Sequence, residues 1–322
     1  MFEGARRPPG IFGVTMDLGQ DRRGVDMGPS AIRYARLQGA LDDLGYRVDD
    51  LGNAEAPIPE MADKVEGTPA APETDVTSAL QDGEVRQLGA VRDVCARVAE
   101  RAEAMTSEGY FPIFLGGDHS IAIGTVSGVA RNFERTGLIW LDAHADFNTP
   151  ETSPSGNIHG MPLSVLTGRG HSDLVAIGGE GASVRSEDVV ILGLRSVDME
   201  ERRLLKEAGI RVYTMKEVDA YGIASVVRRA LRDLSHLDRI HLSFDLDVID
   251  PDVAPGVGTP VRGGLTYREA HLVMELINEA EIVTSLDVVE VNPILDNRNG
   301  TAELAVELVA SLMGRRIIDL PS

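Results

Sequence analysis

Two clusters of acids and imidazoles lie roughly a hundred residues apart in this chain, Asp142-Ala-His144-Ala-Asp146 and Asp245-Leu-Asp247. Each repeats its chemical groups at a spacing of two, directly after an apolar run. In an extended strand, residues i, i+2 and i+4 point to the same side. The spacing therefore predicts that the first cluster aims two carboxylates and an imidazole at one point, and that the second adds two more carboxylates. Acids gathered so closely repel one another unless cations sit between them. Carboxylates with imidazoles suit hard, manganese-like divalent ions, and a pair of such ions is a recurrent hydrolytic device. The chain reads as a two-metal enzyme.

Three more residues belong with these clusters. His119 follows two glycines in Gly116-Gly-Asp-His119-Ser, where a sharp turn would present an imidazole near a helix start; taken alone, such a tetrad is more often an ordinary turn. Glu290 ends an apolar strand and could pair with a cationic substrate, or equally be a solvated strand-end carboxylate. His159 closes the polar segment 142–160. Its ordinary pKa of ~6.5 suits a proton shuttle, the alternative being a loop histidine with no task. Four aspartates balance two divalent cations, leaving His119 and His144 as neutral ligands. A water bridging such ions has its pKa lowered from ~15.7 toward ~7. Gly178-Gly-Glu-Gly lacks the Lys-Ser/Thr ending of a phosphate loop and reads as a turn. His171, His236, His241 and His271 fall outside these constellations and receive no role.

The elements that must position these groups alternate between strand and helix. Apolar runs predict strands at Ile11–Val14, Phe111–Leu115, Gly137–Leu141, Val189–Leu194, Arg211–Tyr213, Ile240–Phe244 and Ile282–Val288. Helices are expected over Gly28–Asp43, from about Asp82 to Ser107, and from about Met199, Ile223, Tyr267 and Ala302. The stretch 53–75, rich in proline, alanine and acids, reads as a surface loop, with the variable region reaching about residue 80. This alternation implies one α/β domain over residues 1–322, a mostly parallel sheet with helices on both faces. Ligands of such sheets bind at the carboxyl ends of the strands, where the four polar sequences all fall.

Composition narrows the classes. The 322 residues carry a net charge of −20, with Lys64, Lys206 and Lys216 the only lysines. That balance argues against nucleic acid, whose phosphates demand clustered cations, and is compatible with a cationic small molecule. No apolar run is long enough to span a bilayer, and the first residues show no secretory signal. A single cysteine, Cys95, excludes an internal disulfide and is expected to be buried in its helix. The expected location is the cytoplasm.

Together, Gly116-Gly-Asp-His119-Ser, Asp142-Ala-His144-Ala-Asp146, Ser243-Phe-Asp245-Leu-Asp247 and Glu290-Val-Asn-Pro293 resemble the ureohydrolases, binuclear manganese enzymes that release urea from guanidinium compounds. The likeness extends over most of the chain, including Gly19–Arg33 and Thr259–Arg268. Within the family, Asn148-Thr-Pro-Glu-Thr-Ser-Pro-Ser155-Gly-Asn157-Ile-His159 resembles the arginases, the bacterial ones in particular, more than the agmatinases. Arginine carries an α-carboxylate that agmatine lacks, and Asn148, Ser155 and Asn157 offer uncharged donors for it.

The resemblance implies an arginase-like three-layer fold and two Mn2+ ions. One ion would be held by His119, Asp142, Asp146 and Asp245, the other by Asp142, His144, Asp245 and Asp247. It further implies that a hydroxide bridging the metals attacks the guanidinium carbon of L-arginine, giving L-ornithine and urea. Glu290 would orient the guanidinium, Asp146 would deliver a proton to the departing amine, and His159 would relay protons. Asp198 would meet the α-amino group, and Thr259 would line the pocket. Agmatine, guanidinobutyrate or an arginine derivative is the alternative substrate. Two departures stand out: Val248-Ile249 replaces an expected Gly-Leu, and Ser196 stands where many arginases have an acid. The resemblance also implies a homotrimer or homohexamer, the usual assembly of the family.

Overall fold

In the computed structural model, which describes residues 7–58, 85–316 and 318, the apolar runs pair into one 8-stranded sheet of order β2-β1-β3-β8-β7-β4-β5-β6. The strands are β1 (Pro9–Thr15), β2 (Asp49–Glu55), β3 (Phe111–Leu115), β4 (Gly137–Leu141), β5 (Val189–Leu194), β6 (Arg211–Thr214), β7 (Ile240–Asp245) and β8 (Val283–Val289). Every pairing is parallel. Parallel strands need long crossovers, which helices supply.

Helices α1 (Gly28–Tyr34), α2 (Leu37–Asp42), α3 (Leu88–Ser107), α4 (Ala122–Ala130), α5 (Pro162–Leu166), α6 (Ser172–Val175), α7 (Met199–Ala208), α8 (Met215–Tyr221), α9 (Ile223–Asp233), α10 (Tyr267–Ala280) and α11 (Gly300–Leu312) occupy the connections. Strand alternation divides the core. Ile139, Leu141, Leu242, Phe244, Leu286 and Val288 pack toward α9, α10 and α11. Leu138 and Trp140 pack toward α4 and α5 on the other face, and Phe114 joins α3. Residues buried on both faces explain why these strands read as continuous apolar runs. Cys95 is fully buried in α3, as expected. Among the described residues no helix is long and apolar enough to cross a membrane.

Several boundaries differ from expectation. The single helix predicted over Gly28–Asp43 is two, because Arg36 takes a left-handed conformation (φ 69°) between α1 and α2. Strand β2 was not anticipated, and it includes Asn53, the expected first residue of the surface loop. Its sequence, Asp-Asp-Leu-Gly-Asn-Ala-Glu, has little apolar signal because it is an edge strand whose residues stay partly exposed. The remainder of that loop from residue 59 to 80, and residues 82–84 of the expected helix start, lie outside the described residues. Helices α4 and α8 were also unforeseen; α4 is buried nearly all round and so lacks an amphipathic stripe.

Candidate active site

The four central strands β3, β8, β7 and β4 are neighbours, and each ends in one of the chemical sequences. After β3 the backbone turns at Gly117, where a Cβ would stand 1.7 Å from the Met16 carbonyl oxygen, so no other residue fits without moving the backbone just beyond β1. The Asp118 side chain then accepts from the Ser120 N–H, starting the 3-10 turn that carries His119. The His119 ring stacks on Trp140 of β4, with centroids 3.9 Å apart and planes within 5°.

The convergence foreseen for Asp142, His144 and Asp146 occurs, but not by strand alternation. Strand β4 stops at Leu141, and the cluster lies on the irregular segment beyond it. Asp142 turns the chain by accepting the His144 N–H at 2.6 Å, and Asp146 sits at φ 50°. Asp245 is the last residue of β7, and it accepts the Asp247 N–H at 2.7 Å to open a 3-10 turn at Leu246–Val248. The strand model fails because the carboxylates bind their own backbone, an Asx-type turn that competes with extension.

Around His119 Nδ1, carboxylate oxygens of Asp142, Asp146 and Asp245 stand at 3.0, 3.1 and 3.3 Å. His144 Nδ1 is 2.9 Å from Asp247 and 3.5 Å from Asp142. Ligand atoms of His119, Asp142 and Asp146 form one group close enough to share an ion, and those of Asp142, His144 and Asp247 form another. His119 Nδ1 is buried without an aligned hydrogen bond. A ring nitrogen surrounded by three carboxylates yet bonded to none fits atoms arranged about a common cation, and the O- and N-donor set suits a hard divalent metal.

Electrostatics agree. Burial resists charging His119, but the adjoining carboxylates of Asp142, Asp146 and Asp245 hold its pKa well above the usual histidine range. Burial likewise opposes charge on His144, which Asp247 and Asp142 nonetheless push up to about 12. Burial, then repulsion from Asp247 and Asp142, raises Asp245 far above an ordinary carboxyl. Burial and the Asp142 charge lift Asp146 to about 6. The carboxylates thus favour positive charge at the centre of the cluster.

Glu290 follows β8 directly at φ 65°, a strained conformation held by its N–H donating to the Gly117 carbonyl at 2.9 Å. Its carboxylate accepts from the His119 N–H at 3.0 Å and from Gln20 Nε2 at 3.1 Å, with His159 Nδ1 at 3.4 Å. A cavity of about 220 Å³ is lined by His119, His144, Asp146, Asn148, His159, Asp198, Glu201, Thr259 and Glu290 among others. It adjoins a second, lined by Gln20, Asp21, His144, Asn157, His159 and Thr259. Thr259 donates to Asp247 at 3.2 Å.

Not every expected residue faces this space. Ser155 lines neither cavity and accepts the Asn157 N–H at 3.2 Å. Asn148 donates to Asp198 at 2.8 Å, and Asn157 donates to Asp21 at 3.3 Å. Each amide keeps a second N–H for a ligand. Asp198 also caps α7 by accepting the Glu201 N–H at 2.8 Å. Ser196 does line the main cavity. Val248 closes its turn without displacing Asp247, because Gly193 leaves room that a Cβ would fill at 2.4 Å from Val248 Cγ2. Arg195 braces the same turn, donating to the Asp247 carbonyl at 2.6 Å and the Val261 carbonyl at 2.8 Å.

Sequence reasoning missed Glu201, Gln20 and Trp140. Glu201 lines the cavity, accepts the Phe147 N–H at 2.8 Å and is pushed up to about 7, chiefly by burial. Three residues after a capping aspartate, it looks like an ordinary first-turn acid. Gln20 carries no signal of its own. Trp140 is read as core, and its Nε1–H donation to Asp142 at 2.9 Å depends on the folded turn.

Residues 8–314 match the Arginase family. The chain is 50% identical to an arginase of Bacillus subtilis (strain 168) over 308 residues, 96% of this chain and 98% of that one. It is 50% identical to an arginase of Bacillus caldovelox over 313 residues, covering 97% and 100%. The crystal structure of the Bacillus caldovelox arginase superposes with a TM-score of 0.88, covering 97% of this chain and 100% of that chain at 50% identity.

Proposed function

Because the chain belongs to the arginase family, we propose that it hydrolyses L-arginine to L-ornithine and urea at a binuclear manganese centre. Relatives at 46–50% identity that are themselves arginases favour arginine over agmatine or guanidinobutyrate. The observation that carries the reading is the ring of Asp142, Asp146 and Asp245 about the unbonded His119 Nδ1, with Asp142 shared by a second group at His144 and Asp247.

His119, Asp142, Asp146 and Asp245 would hold one ion, and Asp142, His144, Asp245 and Asp247 the other. When bound, the ions supply a water acidified from ~15.7 toward ~7 and positive charge that offsets the carboxylates. The remaining work falls to the chain. Glu290, fixed on both oxygens by His119 N–H and Gln20, would accept guanidinium N–H groups in charge-assisted hydrogen bonds. Asp146 would pass a proton to the departing amine nitrogen. Asp198 would meet the α-amino group, Asn148 and Asn157 the α-carboxylate, with Ser155 supporting Asn157 through its backbone N–H, and Thr259 the cavity wall.

His159 stands between the two cavities, a suitable place to exchange protons with solvent. Burial opposes its charge, but Glu290 raises its pKa to about 9, so the imidazole carries a proton at neutral pH and loses it as pH climbs through that value. His159→Asn is expected to lower turnover by roughly 10²–10⁴-fold while both metal equivalents remain. Metal analysis beside the kinetics checks this; a parallel loss of metal would reassign His159 to structural support.

The decisive assay is urea release from manganese-loaded protein, with L-arginine and agmatine compared at low and molar salt. A strong preference for arginine is expected, and equal or better turnover of agmatine would overturn the substrate reading. The proposal extends to a single domain over residues 1–322, a cytoplasmic location and a homotrimeric or homohexameric assembly, the last checked by light scattering.

A further inference from the structure

Behind His119 the sheet holds a row of residues that an apolar core does not require. Trp140, Ser243 and Asp287 are in-register partners on β4, β7 and β8. In-register residues of parallel neighbours share a face, so the three side chains point together toward α4 and the His119 turn. Ser243 and Asp287 are both fully buried. Burying a carboxylate is costly, and among the described residues no arginine or lysine pairs with Asp287.

Its contacts lead in one direction. His119 Nε2 lies 2.8 Å from Ser243 Oγ, and Ser243 Oγ lies 3.4 Å from Asp287 Oδ2. Thr125 of α4 donates to the same oxygen at 2.8 Å, and His241 Nε2 stands 3.1 Å from it. His241 is anchored in turn by Ser285 at 2.8 Å.

Proton counting sets the direction of the chain. A hydroxyl has one proton, and an ionised carboxylate can only accept. The Ser243 hydroxyl therefore donates to Asp287 and turns a lone pair toward His119. A neutral His119, the form that binds a metal, then carries its single proton on Nε2, which leaves the Nδ1 lone pair facing Asp142, Asp146 and Asp245. Had Ser243 lacked that acceptor, it could donate to Nε2 and favour the opposite tautomer, with a proton occupying the ligand position.

We propose that Ser243 and Asp287 are positioning residues that lock the His119 tautomer and ring for metal binding, an inference that rests on the binuclear reading above. It concerns one of the two ions only. Outer partners of this kind typically govern about 10–100-fold in metal affinity.

The test is calorimetric titration of Mn2+ into chelator-stripped full-length protein, comparing wild type, Ser243→Ala, Asp287→Ala and the double variant. Wild type is expected to take up two equivalents. Each single variant should bind one of them about 10–100-fold more weakly and the other as before. Since Asp287 acts through Ser243, Asp287→Ala should add nothing in the Ser243→Ala background. Unchanged affinity, equal weakening of both equivalents, or additive losses would overturn the proposal. Failure of wild type to bind two equivalents would instead remove the metal reading beneath it. Ser243→Ala deletes one oxygen, and it carries the site-selective test by itself if Asp287→Ala does not fold.

Discussion

Asp142→Ala is expected to abolish measurable arginine hydrolysis, a loss on the order of 10³-fold or more, because it removes the group shared by both halves of the centre. One Asp142 oxygen stands 3.0 Å from His119 Nδ1 and the other 3.5 Å from His144 Nδ1. The first also accepts the Trp140 indole N–H, and the second accepts the His144 backbone N–H. Alanine would therefore take a ligand from each ion and release the turn that presents His144.

Two readouts separate this from simple unfolding. Metal content should fall below that of wild type for both equivalents, unlike the one-sided effect expected behind His119. The thermal midpoint of wild type should rise with added Mn2+, since a ligand at 100 times its Kd contributes about 2.7 kcal/mol. That of the variant should scarcely respond. Two tightly held equivalents in folded Asp142→Ala protein would show that the shared-ligand assignment is wrong.

The second large effect concerns substrate choice. Asp198→Asn should lower kcat/KM for L-arginine by about 10–100-fold, since a hydrogen bond to a charged group is worth about 1.5–3 kcal/mol and each 1.36 kcal/mol is tenfold. Asparagine is the informative replacement. Asp198 caps α7, and Asn148 donates to its other oxygen. Asparagine keeps a capping oxygen while removing the charge, whereas alanine would confound recognition with the lost cap. The comparison substrate is 5-guanidinopentanoate, which is arginine without its α-amino group. Its kcat/KM should be nearly the same for wild type and variant. Equal losses on both compounds would mean that Asp198 supports the cavity wall and does not read the amine.

Much of this was legible in the residues alone. Buried strands are mainly apolar, so Asp142, Asp245, Glu290 and His119 stand out at their ends, and periodicity located β3, β4 and β5 at the bounds observed. Polar groups whose local context is ordinary did not stand out. Glu201 resembles a first-turn acid, and Ser243 and Asp287 are polar residues inside otherwise mainly apolar strands. Their meaning comes from partners across the sheet.

By itself, the sequence determined the central strands, the main crossover helices, and which chemical groups lie at the carboxyl ends of strands. These follow from local periodicity and turn chemistry. The tertiary structure decided that β7 and β8, late in the chain, insert between β3 and β4, setting Asp245, Asp247 and Glu290 between His119 and the Asp142 cluster. It also decided the left-handed backbones of Asp146 and Glu290, the first accepting the Leu163 N–H and the second donating to Gly117. Strands buried on both faces carry nearly the same apolar pattern, so nothing local states which will be neighbours. Strained conformations persist only where distant hydrogen bonds over-determine them.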